Sequence, residues 1–197
     1  METLITPLER PPIDEALLAC ARLLRLGVPP AITSPLWEEI TDPCPPGHPI
    51  LPEGTRIYLP SMKEEVVTPA IIIFEDGEAE PRFPNSQRYW SMGVRIDLEL
   101  RGDQTLGMLR ARQADLQRLF TETLPTGDPS TAAPWDRLNA ASVREAEVAG
   151  TQEYLHVFPG GITEARSRPL TTLHGHPVIS LTFKLWCATR TELPSSE

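Results

Sequence analysis

The sequence predicts an α+β fold, in which two main helices pack on one face of an antiparallel or mixed sheet. Apolar and polar residues alternate over 91–101 and 179–188, a pattern typical of strands with one covered face. Apolar residues at helical spacing over 12–26 and 105–124 predict two amphipathic helices. Together the two patterns indicate a helix layer on a sheet, joined by proline-rich extended loops.

The length of the chain predicts a single domain over residues 1–197, with a core of useful size. Its 22 prolines are roughly twice the average share and favour extended connections. They are dense in a segment at 28–55, which we expect to be an extended excursion from the core. A second segment, 125–150, is expected to be an insertion.

The net charge of −9 is unevenly distributed along the chain. Residues 1–80 hold 14 acids and 5 bases, whereas residues 81–197 hold 13 of each. The absence of a long basic run argues against sustained nucleic-acid binding. Three cysteines without a framework spacing favour a reducing compartment. The N-terminal residues do not resemble a secretory signal, and no apolar run reaches the roughly 20 residues of a membrane span, so a soluble cytosolic product is expected.

The first half of the chain is expected to hold one helix and three strands. Pro11 and Pro12 suit the start of the first helix, and Gly27 suits its end. Residues 56–60 form a short strand, and 69–77 form an apolar strand buried on both faces. Residues 78–90 are polar and contain two prolines, which predicts a long loop. The strand at 91–101 turns Val94, Ile96, Leu98 and Leu100 towards the helices and Arg95, Asp97, Glu99 and Arg101 towards water or a polar partner.

The second half begins with the helix at 105–124. Residues 125–139 are expected to be a loop with one helical turn at PWDRLN. Segments 142–148 and 152–158 flank Gly150 and are predicted to pair as a hairpin. Residues 158–169 form a loop that leads to the last strand, whose Leu181, Phe183 and Leu185 are expected to lie beneath the helices.

The sequence HGHPVISLTFKLWCATR, residues 174–190, raises the question of a metal site. His174 and His176 lie on the opposite strand parity from Cys187, so the three cannot converge on one ion. Cys44-Pro-Pro-Gly-His48 offers only one cysteine and one histidine, whereas a structural zinc site needs four ligands.

The sequence also lacks the familiar catalytic motifs. Asp97 and Glu99 are neighbours on one strand face, as paired catalytic acids can be, but Arg95 and Arg101 flank them. Such interleaved charges are typical of a solvated or interfacial sheet face. We therefore expect no catalytic residue, no cofactor and no metal.

The order of the predicted elements resembles the tail terminator, or tail completion, proteins of long-tailed bacteriophages and related particles. The resemblance covers residues 12–26 and 56–188. It rests on an N-terminal amphipathic helix, the apolar strand PAIIIFEDG, the alternating strand SMGVRIDLELRGD, a long helix, a late hairpin and the closing strand HPVISLTFKLWCA. The segments 28–55 and 125–150 have no clear counterpart in the family.

The resemblance implies a non-enzymatic virion protein that forms a homo-oligomeric ring, usually a hexamer. Such a ring caps the head-proximal end of the tail tube, stops its polymerisation and joins it to neck or head-completion proteins. DNA would pass through the ring without specific binding, and negative charge would keep it from sticking. Two alternatives remain open: another neck or tail-tube component, or a small metal-dependent hydrolase that uses His174, His176, Asp97 or Glu99.

Two predicted loops are the candidate contact regions, because a rigid scaffold fixes their ends while their tips can fit a partner. Arginine and tryptophan often dominate the energy of protein interfaces. The candidate interface residues are Glu78, Glu80, Arg82, Arg88 and Trp90 in the loop at 78–90, and Arg166 and Arg168 in the loop at 159–169.

Overall fold

The fold is that of a computed structural model, which describes residues 10–26, 42–62, 65–82, 89–102, 105–124, 132–168, 171–173 and 176–190. Three helices and seven strands are present in these ranges. The helices are α1 (Ile13–Leu26), α2 (Leu106–Thr121) and α3 (Pro134–Ala149). The strands are β1 (Arg56–Tyr58), β2 (Ala70–Glu75), β3 (Glu80–Arg82), β4 (Tyr89–Glu99), β5 (Tyr154–Ser167), β6 (Thr171–Leu173) and β7 (His176–Arg190).

The seven strands form one mixed sheet, so the α+β class is confirmed. Its main path runs β1-β2-β4-β7-β5, with β1 parallel to β2 and the other pairs antiparallel. β3 pairs with β4 beyond the end of β2, and β6 pairs with β7 beyond the end of β5. The pairing along the outer side of β4 is therefore divided between β2 and β3, and that along the outer side of β7 between β5 and β6, so β4 and β7 form the continuous centre of the sheet.

One core cluster joins apolar residues of all three helices to one face of the sheet, which we call the inner face. The seven strand residues that the sequence places beneath the helices are all buried there: Val94, Ile96, Leu98, Leu100, Leu181, Phe183 and Leu185. The Phe120 ring of α2 stacks on the Phe183 ring of β7, with centroids 5.1 Å apart. β2 is less enclosed than predicted, because Ile72 and Phe74 on its opposite face are only partly buried.

The predicted hairpin of 142–148 with 152–158 is wrong, because residues 134–149 form helix α3. Pro134 occupies the start of the helix, and Gly150 ends it in the left-handed conformation at φ 67°. The buried side of α3 includes Leu138, Ala141, Ser142 and Ala146. Small residues at helical spacing give a weak apolar signal, so the sequence pattern does not distinguish this helix from a strand. The part of the chain that the structure describes therefore holds three helices rather than the two main helices predicted.

α3 closes the outer edge of β5 through side chains that bond its backbone. The Asn139 amide donates to the Val157 carbonyl and accepts from the Val157 N–H, at 3.0 and 2.6 Å. The Ser142 hydroxyl accepts from the Leu155 N–H at 2.7 Å. These bonds satisfy backbone groups that would otherwise be free to pair with another chain.

Residues 158–169 are a strand for most of their length, so the prediction of a loop there is wrong. The register of β5 against β7 shifts twice, between Val157 and Ile162 and between Thr163 and Arg166. Gly160 has φ 71°, and a Cβ on Gly161 would lie 2.7 Å from the Phe158 carbonyl oxygen. The glycine pair thus builds a bulge rather than a break. The predicted loop at 78–90 likewise contains β3 and the start of β4.

The described part of the proline-rich segment, residues 42–55, packs on the core. Ile50 and Leu51 are buried in the core cluster, together with Cys44. The His48 ring bonds the Arg25 carbonyl through Nε2 at 3.1 Å and accepts from the Ile50 and Leu51 N–H groups through Nδ1. This histidine therefore fastens the segment to the end of α1.

Candidate interaction surface

The face of the sheet opposite the inner face, which we call the outer face, carries a polar network at its centre. Arg95 donates to both carboxylate oxygens of Asp97, at 2.9 and 2.7 Å, and the Ser180 hydroxyl donates to the same carboxylate. The Arg95 guanidinium also lies over the Phe74 ring, 5.0 Å from its centroid. Asp97 and Glu99 are buried, at 9% and 7% exposure, rather than solvated. Asp97 thus belongs to an ion pair that holds β2, β4 and β7 together.

Aromatic side chains cluster on the outer face where β4, β5 and β7 meet. Tyr89 stacks on Trp186 at 5.9 Å between centroids and tilts against Phe158 at 5.6 Å. The His156 ring meets Phe158 edge-on at 5.3 Å, and burial lowers the pKa of His156 with help from the nearby Arg190. Trp186 is 42% exposed. We call these four residues the aromatic patch.

Three cations lie beside a shallow cleft on the same face: Arg166, Arg168 and Lys184, which we call the basic cluster. The cleft encloses about 250 Å³ and also borders Asp76 and Glu164. Lys184 bonds the Glu164 carboxylate at 3.1 Å. Both arginines are exposed.

The second bulge of β5 determines where Arg166 points. Thr163 lies opposite Lys184, and a regular register would place Arg166 opposite the buried Leu181 on the inner face. Instead Arg166 lies opposite Thr182, because the strand gains one residue at Glu164, which has φ 53°. The bulge therefore adds an arginine to the outer face.

The candidate interface residues fall into two separate groups. Glu78, Glu80 and Arg82 are exposed, and Glu80 and Arg82 form an ion pair at 2.5 Å on β3. Arg166 and Arg168 lie across the sheet on and just beyond β5. Both groups flank the central pair β4 and β7.

Two candidate residues belong to neither group. Trp90 lies on the inner side of β4 and is only 8% exposed, so little of its ring is available to a partner. Arg88 lies outside the described residues. The sequence patterns assign no role to Tyr89, Phe158 and Trp186. A tryptophan on the polar side of an alternating strand, as at Trp186, does indicate an exposed aromatic ring.

The cysteines and histidines do not form a ligand set in the described residues. Cys187 lies on the inner face and His176 on the outer parity of β7, as predicted, whereas His174 lies outside the described residues. Burial raises the pKa of Cys187 and of Cys44 to about 12 and raises that of Cys20 further. Within the described ranges, no group of three or more His, Cys, Asp or Glu side chains could hold a metal ion.

No protein-family model matches the chain, and a search of curated proteins finds no match. None of the helices that the structure describes is both long enough and apolar enough to span a membrane.

Proposed function

We propose that the protein is a structural subunit of a phage tail: a homo-oligomeric ring that caps the head-proximal end of the tail tube and joins it to neck proteins. The observation that carries this proposal is the aromatic patch on the outer face, beside the basic cluster. The order of the other elements along the chain, apart from the predicted late hairpin that helix α3 replaces, resembles tail terminator proteins and supplies the identity of the particle.

The aromatic patch supports a role in assembly because the exposed Trp186 ring is held in place by partly buried aromatic neighbours. Trp186 extends from the centre of the sheet and stacks on Tyr89, so few conformations are lost when a partner covers it. Tryptophan, tyrosine and arginine are also the side chains enriched at the energetic centres of interfaces. The outer face offers all three within one region.

The charge of the chain supports a ring that DNA traverses without being held. A net charge of −9 repels the phosphate backbone, whereas tight binding requires many lysine and arginine contacts with phosphates. The basic cluster is small, and the carboxylates of Asp76 and Glu164 line the cleft beside it, which favours a protein partner over a nucleic acid.

The test is a phage in which the gene is deleted. We expect the mutant to make tails of abnormal length that do not join filled heads, as seen by electron microscopy. A plasmid copy should restore normal particles, and a Trp186→Ala copy should restore them poorly. Leu106→Ala is the matched control, because Leu106 is 56% exposed but lies on α2. Normal joined tails in the deletion mutant would overturn the proposal.

A further inference from the structure

A groove between α1 and α3 offers a second surface, on the helix side of the molecule. It encloses about 350 Å³, and its apolar floor is formed by Leu18, Ala146 and Ala149. Alanines at the end of α3 leave this space open because they have little side chain to fill it. We call this feature the α1–α3 groove.

Carboxylates form the rim of the α1–α3 groove: Asp14, Glu15, Glu145 and Glu153, with Arg10 as the cation beside them. Glu145 bonds the buried Arg22 at 2.6 Å, and Glu15 bonds Arg10 at 2.9 Å. Asp14 and Glu153 are exposed and form no ion pair within the described part of the chain. The rim therefore retains uncompensated negative charge.

The basic cluster has the opposite charge and lies on the other side of the sheet. Lys184 is paired with Glu164, but Arg166 and Arg168 form no ion pair among the residues that the structure describes. Trp186 lies two residues from Lys184 on the same strand face, so its exposed ring can be buried in the same contact. The outer face thus combines cations with an apolar ring, as the α1–α3 groove combines carboxylates with an apolar floor.

We propose that the basic cluster of one copy docks on the α1–α3 groove of the next copy. This contact rests on the proposed self-assembly and specifies its surfaces. Because the two surfaces differ and lie on different sides of the sheet, the contact is head-to-tail, and repeating it generates a ring when the rotation closes. Because the charges are exposed, the contact should form quickly at low salt. The complex should become weaker as the salt concentration rises.

Two neutralised variants test the contact, and native mass is the readout. One is Arg166→Ala with Arg168→Ala, and the other is Asp14→Asn with Glu153→Gln. Each variant keeps one intact surface, so each alone should be monomeric. An equimolar mixture should form a one-to-one heterodimer and nothing larger, since the two remaining surfaces are both disabled. Arg101→Ala with Arg110→Ala controls for loss of exposed charge and should keep the wild-type mass.

The outcomes separate this contact from the proposed function. Wild-type mass in either neutralised variant, or a mixture that stays monomeric, overturns the contact even if the deletion phenotype holds. A heterodimer beside normal tails in the deletion mutant establishes the contact and overturns the tail role. A wild-type protein that is monomeric at millimolar concentration also overturns the contact. Circular dichroism of each variant verifies that the fold is retained.

Discussion

At the scale of single residues, Phe183 connects the sheet to α2. Its ring is 2% exposed and stacks on Phe120. Replacing Phe183 with alanine should lower the free energy of unfolding by roughly 3–5 kcal/mol, because a large buried ring leaves a cavity. Chemical denaturation measures the change. Thr182→Ala is the control, since Thr182 lies one residue away on the outer face; equal midpoints for Phe183→Ala and wild type would contradict the facing assignment.

Arg137 is a residue whose role no sequence pattern indicates. It is 2% exposed and donates to the carbonyl groups of Leu119, Glu122 and Ala132, which lie at and after the end of α2. The last carbonyl groups of a helix have no partner within the helix, so the buried guanidinium of α3 satisfies them. The end of α2 and the start of α3 must come together before this arginine has its partners, and its local sequence contains none of that information.

Replacing Arg137 with methionine should therefore destabilise the fold by about 2–4 kcal/mol, because several buried carbonyl groups lose a charged donor while the aliphatic stem is kept. Thermal unfolding followed by circular dichroism gives the measurement. Arg110→Met, at an exposed position on α2, should change the melting temperature little. A similar small change for Arg137→Met would show that water replaces the guanidinium at little cost.

At the scale of secondary-structure elements, Gly93 allows the chain to leave β4 at the end of β2, before β3 resumes the pairing with β4. The Asp76 N–H donates to the Gly93 carbonyl, and a Cβ at Gly93 would lie 2.1 Å from the Asp76 carbonyl oxygen. Gly93→Ala should therefore destabilise the protein, whereas Gly107→Ala on α2 should stabilise it by up to about 1 kcal/mol. Gly107 is the matched control because its Cβ would meet nothing within 4 Å. The same sign for both substitutions would contradict this account.

His48 makes the attachment of residues 42–55 to α1 sensitive to pH. Burial lowers its pKa below the ordinary value of 6.5, and protonation at Nδ1 would break the bonds from the Ile50 and Leu51 N–H groups. The unfolded chain therefore binds a proton at a higher pH than the folded chain. The contribution of neutral His48 to the free energy of unfolding is therefore complete above pH 6.5, and it is lost as the pH falls through the pKa of His48 in the folded protein. His48→Gln should reduce the loss of stability between pH 7 and 5, measured by urea denaturation across that range; an unchanged slope would exclude His48 as the group responsible.

The elements that the sequence predicts well are those with large apolar side chains at a clear period. α1, α2, β2, β4 and β7 are of this kind, since Leu, Ile and Phe recur at the spacing of the buried face. The sequence does not predict α3 and β5, for two separate reasons. The buried side of α3 relies on alanines, and β5 contains Pro159, Gly160 and Gly161, which usually mark a loop. In β5 those residues are tolerated because the bulge places them where the pairing with β7 is already interrupted.

At the scale of the whole molecule, the bulge in β5 and the small residues of α3 produce the two surfaces of the proposed contact. The bulge turns Arg166 to the outer face, and Ala146 and Ala149 leave the α1–α3 groove open. Neither surface could be predicted from the sequence. The facing of Arg166 depends on a one-residue shift in register, and the groove lies against a helix whose small residues give a weak apolar signal. Composition and charge can be read directly from the sequence. They bear on the class of function rather than on which residues form the site.

Under the proposed function, removal of exposed arginines should impair assembly of the particle. Arg82 and Arg166 lie on outer strands that flank β4 and β7, and an arginine at an interface contributes both buried area and forked hydrogen bonds. Arg82→Ala with Arg88→Ala, and Arg166→Ala with Arg168→Ala, should each give a folded protein that no longer joins its neighbours or the tube. The measurement is complementation of a particle that lacks the wild-type protein, with tail lengths and joined heads counted by electron microscopy. The Arg101→Ala with Arg110→Ala variant should complement fully. Tails of normal length on filled, joined heads with both test variants would remove these two regions from the interface.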